Sequence, residues 1–159
     1  MVGKLVVAAA SAAVLAVSPA ALGQQTGGTA DEAKAMLMKA VAALRADKAQ
    51  ALDMFNKGEG GFRDRDLYVF CANVSDGAVV AMGNPNLKQA LGMDVRAGQN
   101  STGEAFGAEI YAAIQRPEGQ ITEVSYVGPK PDPDDRLVAK TTLVARASDD
   151  LGCGVGYYK

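Results

Sequence analysis

The sequence predicts an α+β domain with a mainly antiparallel sheet, and three observations carry that expectation. Asp66-Leu67-Tyr68-Val69-Phe70-Cys71-Ala72-Asn73 and Ala78-Val79-Val80-Ala81 are apolar, β-branched and aromatic runs. The short turn between them carries Asp76-Gly77, which is the pattern of a β-hairpin. Gly152-Cys153-Gly154-Val155-Gly156-Tyr157 is a glycine-spaced strand at the end of the chain. Before both, Leu37, Val41, Leu44, Leu52 and Phe55 recur at helical spacing. A long helix, two strands, a helical crossover and three strands make an α+β order.

The N-terminus reads as a secretory signal over residues 1–23. Lys4 supplies the positive start, Leu5 to Val17 is a run of apolar and small residues, and Ala21-Leu22-Gly23 offers a small-x-small cleavage site before Gln24. The run is alanine-rich and short of the roughly 20 strongly apolar residues that span a bilayer, which disfavours a membrane anchor. Residues 24–30 are polar and glycine-containing, a flexible leader. The remaining chain suffices for one domain with one core.

Thr29-Ala30-Asp31-Glu32 has the form of a capping box. A helix follows to about Asn56, with Gly58 suited to its C-terminal cap. Such a helix of roughly 26 residues is about 39 Å long at 1.5 Å per residue, longer than a small domain is wide. Its apolar stripe is core, with a dimer seam as the second reading; Lys48 interrupts it. Gly60 to Arg65 is a loop into the hairpin. Met82 to Asn86 turns the chain, and Leu87 to Leu91 forms a helical turn. Ser101-Thr102-Gly103-Glu104 reads as a second capping box, opening a helix with Phe106, Ile110 and Ile114 on one face. Pro117 and Gly119 end it. Strands follow at Gln120–Val127, Leu137–Arg146 and Gly152–Tyr158. The prolines and aspartates of Gly128 to Arg136 keep that segment out of any sheet.

Much chemistry is excluded. The chain has no histidine, which removes Ser-His-Asp and Cys-His pairs, His-ligated zinc and proximal-histidine haem. A net charge of −2 supplies no basic face for nucleic acid. Asp132, Asp134 and Asp135 lack the spacing and distant glutamate of a calcium loop and read as a solvated turn. The other carboxylates sit mostly in caps, turns and loops, not paired for acid–base work. No enzyme, metal site or cofactor is expected.

In order along the chain, Ala51-Leu52-Asp53-Met54-Phe55-Asn56, Phe62, Asp66-Leu67-Tyr68-Val69-Phe70, Asp76-Gly77, Val80-Ala81, Asn84-Pro85, Gly92, Gly103, Phe106, Tyr126, Pro129, Lys140 and the closing Gly152 to Tyr157 resemble a single Cache domain. That family comprises PAS-like extracytoplasmic small-molecule sensors. The resemblance spans residues 31–159. It implies a PAS/profilin-like fold, with the long N-terminal helix packed on a five-stranded sheet. Two departures stand out: Met82-Gly83 occupies the place of a histidine in many relatives, and the tryptophan near their third strand is missing.

The resemblance also bears on the cysteines. An oxidising compartment permits a disulfide. In a PAS-like strand order the strands of Cys71 and Cys153 are antiparallel neighbours, so the two can face one another; two buried free thiols remain the alternative. Alternation then puts Tyr68, Phe70 and Ala72 on one face beside Gly152, Gly154 and Gly156. Glycines signal close approach, either by a ligand or by a helix. Lys140 matches a family lysine near the pocket and can hold a carboxylate as a point charge. The resemblance therefore implies a periplasmic or secreted domain binding a small metabolite such as a carboxylate at Tyr68, Phe70, Tyr126, Lys140 and Gly154. Its implied partner is a membrane receptor or kinase. The rival reading is a protein-interaction or dimerisation module using the long helix, for which a filled sheet face with no cavity would be the sign.

Overall fold

The computed structural model describes residues 27–130 and 136–159. The predicted signal segment, most of the leader and the aspartates at 132, 134 and 135 lie outside them. Helix α1 (Ala30–Ala46) opens on the capping box read from sequence. The Glu32 N–H donates to Thr29 Oγ1 at 3.2 Å, and the Thr29 N–H donates to the Glu32 carboxylate at 2.8 Å. Just before it, the Gly28 N–H donates to Asp66 Oδ1 at 2.6 Å, so the end of the leader is docked on the start of the hairpin.

The single long helix is a correction. Asp47 adopts extended angles (φ −154°, ψ 102°) and a second helix, α2 (Lys48–Lys57), starts after it. The Asp47 carboxylate accepts from the Gln50 N–H at 3.0 Å. Aspartate competes for nearby backbone N–H groups, so it begins a helix better than it continues one. The break lets the two helices follow the sheet instead of overshooting it as one rod. Gly58 closes α2 in the left-handed region, at φ 70°.

The sheet contains β1 (Arg63–Asp64), β2 (Leu67–Asn73), β3 (Val79–Met82), β4 (Ile121–Pro129), β5 (Leu137–Arg146) and β6 (Leu151–Tyr158). All pairings are antiparallel, in the order β1-β2-β6-β5-β4, with β3 also on β2. Strand β1 lies within the segment expected as pure loop; Arg65, at φ 54°, turns the chain so that Arg63 pairs Tyr68. Strand β4 also runs further than expected. Gly128 and Pro129 pair with Val138 and Leu137. Pro129 is tolerated because it ends an edge strand, where its missing N–H breaks no ladder.

The Ser101–Glu104 capping box does not form. Helix α3 spans Gly107–Ile114 with no side-chain cap. Asn100 captures the loop instead: its Oδ1 accepts from the Thr102 and Glu104 N–H groups, each at 3.0 Å. Gly103, at φ 83°, cannot continue into a helical turn.

Two cores flank the sheet. On one face, α1 and α2 cover Val69, Cys71, Leu143, Leu151 and Val155, with Phe55 completely buried among them. On the other face, α3 and the loops cover Phe70, Ala72, Met82, Val124 and Val144. Cys71 and Cys153 are register partners and form a disulfide, with Cα atoms 4.0 Å apart. The bond lies under the long helices, opposite the candidate site.

Candidate ligand-binding site

Strand alternation supplies the site. Phe70 pairs Gly154, Val144 pairs Gly154 from the other side, Thr142 pairs Gly156, and Lys140 pairs both Tyr126 and Tyr158. These side chains therefore share the face that α3 partly covers. The three glycines of β6 admit three different neighbours. A Cβ on Gly152 would stand 2.4 Å from Ile114 of α3, and one on Gly154 would stand 2.6 Å from the Phe70 ring. One on Gly156 would stand 2.5 Å from Lys140 Cε. Close packing accounts for the first two. The third lets the Lys140 stem lie flat across the sheet.

Lys140 is only 5 % exposed. Its ammonium donates to the Tyr68 and Tyr158 phenol oxygens, at 3.3 and 3.4 Å. It also lies 5.0 Å from the Tyr68 ring centroid and 4.6 Å from that of Tyr158, within cation–π range. Among the described residues no carboxylate pairs with it. Burial pushes the Tyr68 hydroxyl up to about 12, with a hydrogen bond to Asn84 pulling weakly the other way. Burial also raises Tyr126 and Tyr158, opposed in both by the nearby Lys140 charge. All three phenols thus stay protonated at neutral pH, leaving the Lys140 ammonium among neutral hydroxyls.

These groups line a cavity of about 340 Å³ together with Asn84, Asn100 and Phe106. Phe106 stacks on Tyr126 with ring centroids 4.0 Å apart. Tyr126 is held from below by a 3.1 Å hydrogen bond to Thr142. Asn100 Nδ2 donates to the Val127 carbonyl at 2.7 Å and clamps the loop before α3 to β4. The opposite wall is Asn86 and Leu87 of the 3₁₀ segment Pro85–Ala90. It is anchored by Lys88, whose ammonium donates to the carbonyls of Asn56 and Met82.

Of the five ligand residues expected from sequence, Tyr68, Tyr126 and Lys140 converge on this cavity. Phe70 lines an adjoining lobe. Gly154 lies under the Phe70 ring and reaches neither space. Sequence reasoning missed Tyr158, Asn84, Asn100 and Phe106 as lining residues. Parity within the last strand could have found Tyr158, which shares the face of Gly152, Gly154 and Gly156. The others come from loops, whose approach to the sheet has no periodic signal. Among the described residues no cluster of three or more His, Cys, Asp or Glu is placed to hold a metal ion.

The strand order and the helices over one face define the fold as α+β and PAS-like. Three solved structures share it. One is a methyl-accepting chemotaxis protein from Vibrio parahaemolyticus, at 21 % identity and TM-score 0.58, covering 80 % of this chain and 86 % of that one. Another is the periplasmic sensor domain of a chemotaxis protein, at 17 % identity and TM-score 0.56, covering 80 % and 88 %. The third is a Cache chemosensory domain described for carboxylic acid recognition, at 20 % identity and TM-score 0.54, covering 80 % and 86 %. No protein-family model matches this chain, and no curated protein matches it significantly.

Proposed function

We propose that this chain is an exported sensory binding domain that takes a small organic acid and passes its occupancy to a membrane receptor or kinase. The observation that carries this reading is the Lys140 ammonium: buried, facing a cavity, and paired with no carboxylate among the described residues. A buried cation is costly until an anion meets it. A ligand carboxylate at Lys140 supplies that anion, and the Tyr68 hydroxyl, which accepts from Lys140, has its own proton to donate to it; the Tyr158 hydroxyl already donates to the Pro129 carbonyl at 2.6 Å. The likeness to a chemosensory domain described for carboxylic acid recognition supports the same choice. Its binding chemistry needs no reacting group, so the role is not enzymatic.

The rival interaction-module reading has less support. Leu37, Val41 and Leu44 of α1 are spent on the domain's own core, and the far sheet face holds a cavity where that reading needs a filled surface.

Two variants test the anion site by calorimetry with sodium acetate and longer acids. Lys140→Met keeps the stem over Gly156 but removes the charge. It weakens binding roughly ten- to a hundredfold, the loss of one charge-assisted contact worth about 1.5–3 kcal/mol. Gly156→Ala pushes the same stem aside, because its new Cβ meets Lys140 Cε at 2.5 Å, and weakens binding in the same direction. Unchanged affinity in a folded Lys140→Met protein rejects the site.

Export through residues 1–23 into the periplasm or outside the cell belongs to the same proposal, as does a domain running over residues 31–159. The disulfide suits that oxidising setting. Mass spectrometry of exported protein is expected to find an N-terminus near Gln24; an intact Met1 there rejects the signal.

A further inference from the structure

Beside the Lys140 cavity lies a second space of about 410 Å³. Five residues line both: Tyr68, Leu87, Gln99, Phe106 and Tyr126. The two are therefore lobes of one site, divided by the stacked Phe106–Tyr126 pair and the Tyr68 ring. Their chemistry differs. The first holds the Lys140 ammonium, the phenols and the amides, with Lys130 also on its lining. The second is walled chiefly by Phe70, Val79, Met82, Ala90, Val95 and Ile110. Its one carboxylate among the described residues, Asp94, is met by Arg96 Nε at 2.8 Å and by the Arg96 N–H at 2.9 Å.

We infer that the ligand is a monocarboxylate with an extended apolar body, its acid group at Lys140 and its chain or ring in the second lobe. This rests on the anion reading and adds the part of the ligand remote from the charge. An acid the size of acetate meets Lys140 but leaves the apolar lobe to water, which that lining cannot hydrogen-bond well. A linear dicarboxylate long enough to cross the dividing rings sets its second charge against apolar walls and near Asp94, an arrangement that costs desolvation without pairing. An alkyl or aryl tail has neither fault. It buries apolar surface against Phe70, Val79 and Ile110, and slides past two aromatic faces that tolerate either a chain or a ring.

Calorimetry on the wild-type domain with sodium acetate, butyrate, hexanoate, phenylacetate and succinate is the test. The expected result is an affinity that climbs about fourfold per added methylene from butyrate to hexanoate, with phenylacetate above butyrate and succinate below it. Ala90→Phe fills the second lobe from its outer wall. It is expected to weaken hexanoate at least tenfold while acetate, which ends at the ammonium, is unchanged. Met82→Ala enlarges the same lobe and is expected to move the best acid from hexanoate to octanoate, so the lobe can be read even where Ala90→Phe does not fold. Equal affinity for acetate and hexanoate, succinate as the tightest ligand, or the same loss for acetate and hexanoate in Ala90→Phe overturns the inference and leaves the anion site standing. Binding of none of the acids overturns both.

Discussion

Removing the Cys71–Cys153 bond is expected to lower unfolding stability by about 4.5 kcal/mol, the chain-entropy value for a loop of this length. The cysteines are 82 residues apart and join β2 to β6, so the bond encloses the hairpin, α3, β4 and β5. Opening it frees the unfolded chain far more than it changes the native one. In a domain of about 130 residues that loss corresponds to roughly 15 °C in melting temperature. The double variant Cys71→Ala/Cys153→Ala and the reduced wild type, unfolded in urea, should agree to within the small cavity left by the missing sulfurs. The urea slope should also steepen, because an uncrosslinked unfolded chain exposes more surface. A loss below about 1 kcal/mol in both would mean that the thiols are free in the native protein. The bond lies on the helix side of the sheet, so a folded reduced protein should keep its ligand affinity.

Phe55→Ala is expected to cost about 3–5 kcal/mol, the range for deleting a buried aromatic. Phe55 is completely buried and meets Phe62 edge-on, with ring centroids 4.5 Å apart. The ring joins α2 to the segment entering β1, and backbone around it cannot collapse freely. Gly58 and Glu59 are already bonded back to Phe55 and Met54 at 3.1 and 3.0 Å. The urea midpoint should fall with little change in slope. Leu52→Ala, on the half-buried side of the same helix, should cost clearly less. Equal losses at the two positions would show that α2 is not docked through Phe55.

The expected PAS-like order of the five main strands is observed, as are the hairpin, the capping box at Thr29 and the left-handed cap at Gly58. The strand order was implied by the resemblance to a known family; each of the others rests on a short-range rule. Period two sends Tyr68 and Phe70 to one face and Cys71 to the other. A cap needs only the side chain three residues away. The helix break was equally local, since Asp47 stands three residues before Gln50 as Thr29 stands before Glu32, but the apolar stripe running through it outweighed that signal. The second capping box failed for the opposite reason: Asn100 offered the same N–H groups a nearer acceptor, and Gly103 left helical space.

Composition, caps and strand alternation set the class of fold and the faces of the strands, and left the site no histidine to use. The grouping of Tyr68, Tyr126 and Lys140 was an expectation drawn from the family resemblance. Long-range packing covers Gly152 with Ile114 and Gly154 with Phe70, while Gly156 carries the stem of Lys140. Packing also buries the Lys140 ammonium, which meets no carboxylate among the described residues, and sets an apolar lobe beside it. Asn84, Phe106 and Tyr158 reach the site from three separate segments, and no periodicity links positions so far apart. Whether a glycine leaves space or a packed contact depends on which distant side chain comes to rest on it. That is settled by the packing of the whole domain, not by any stretch of the chain.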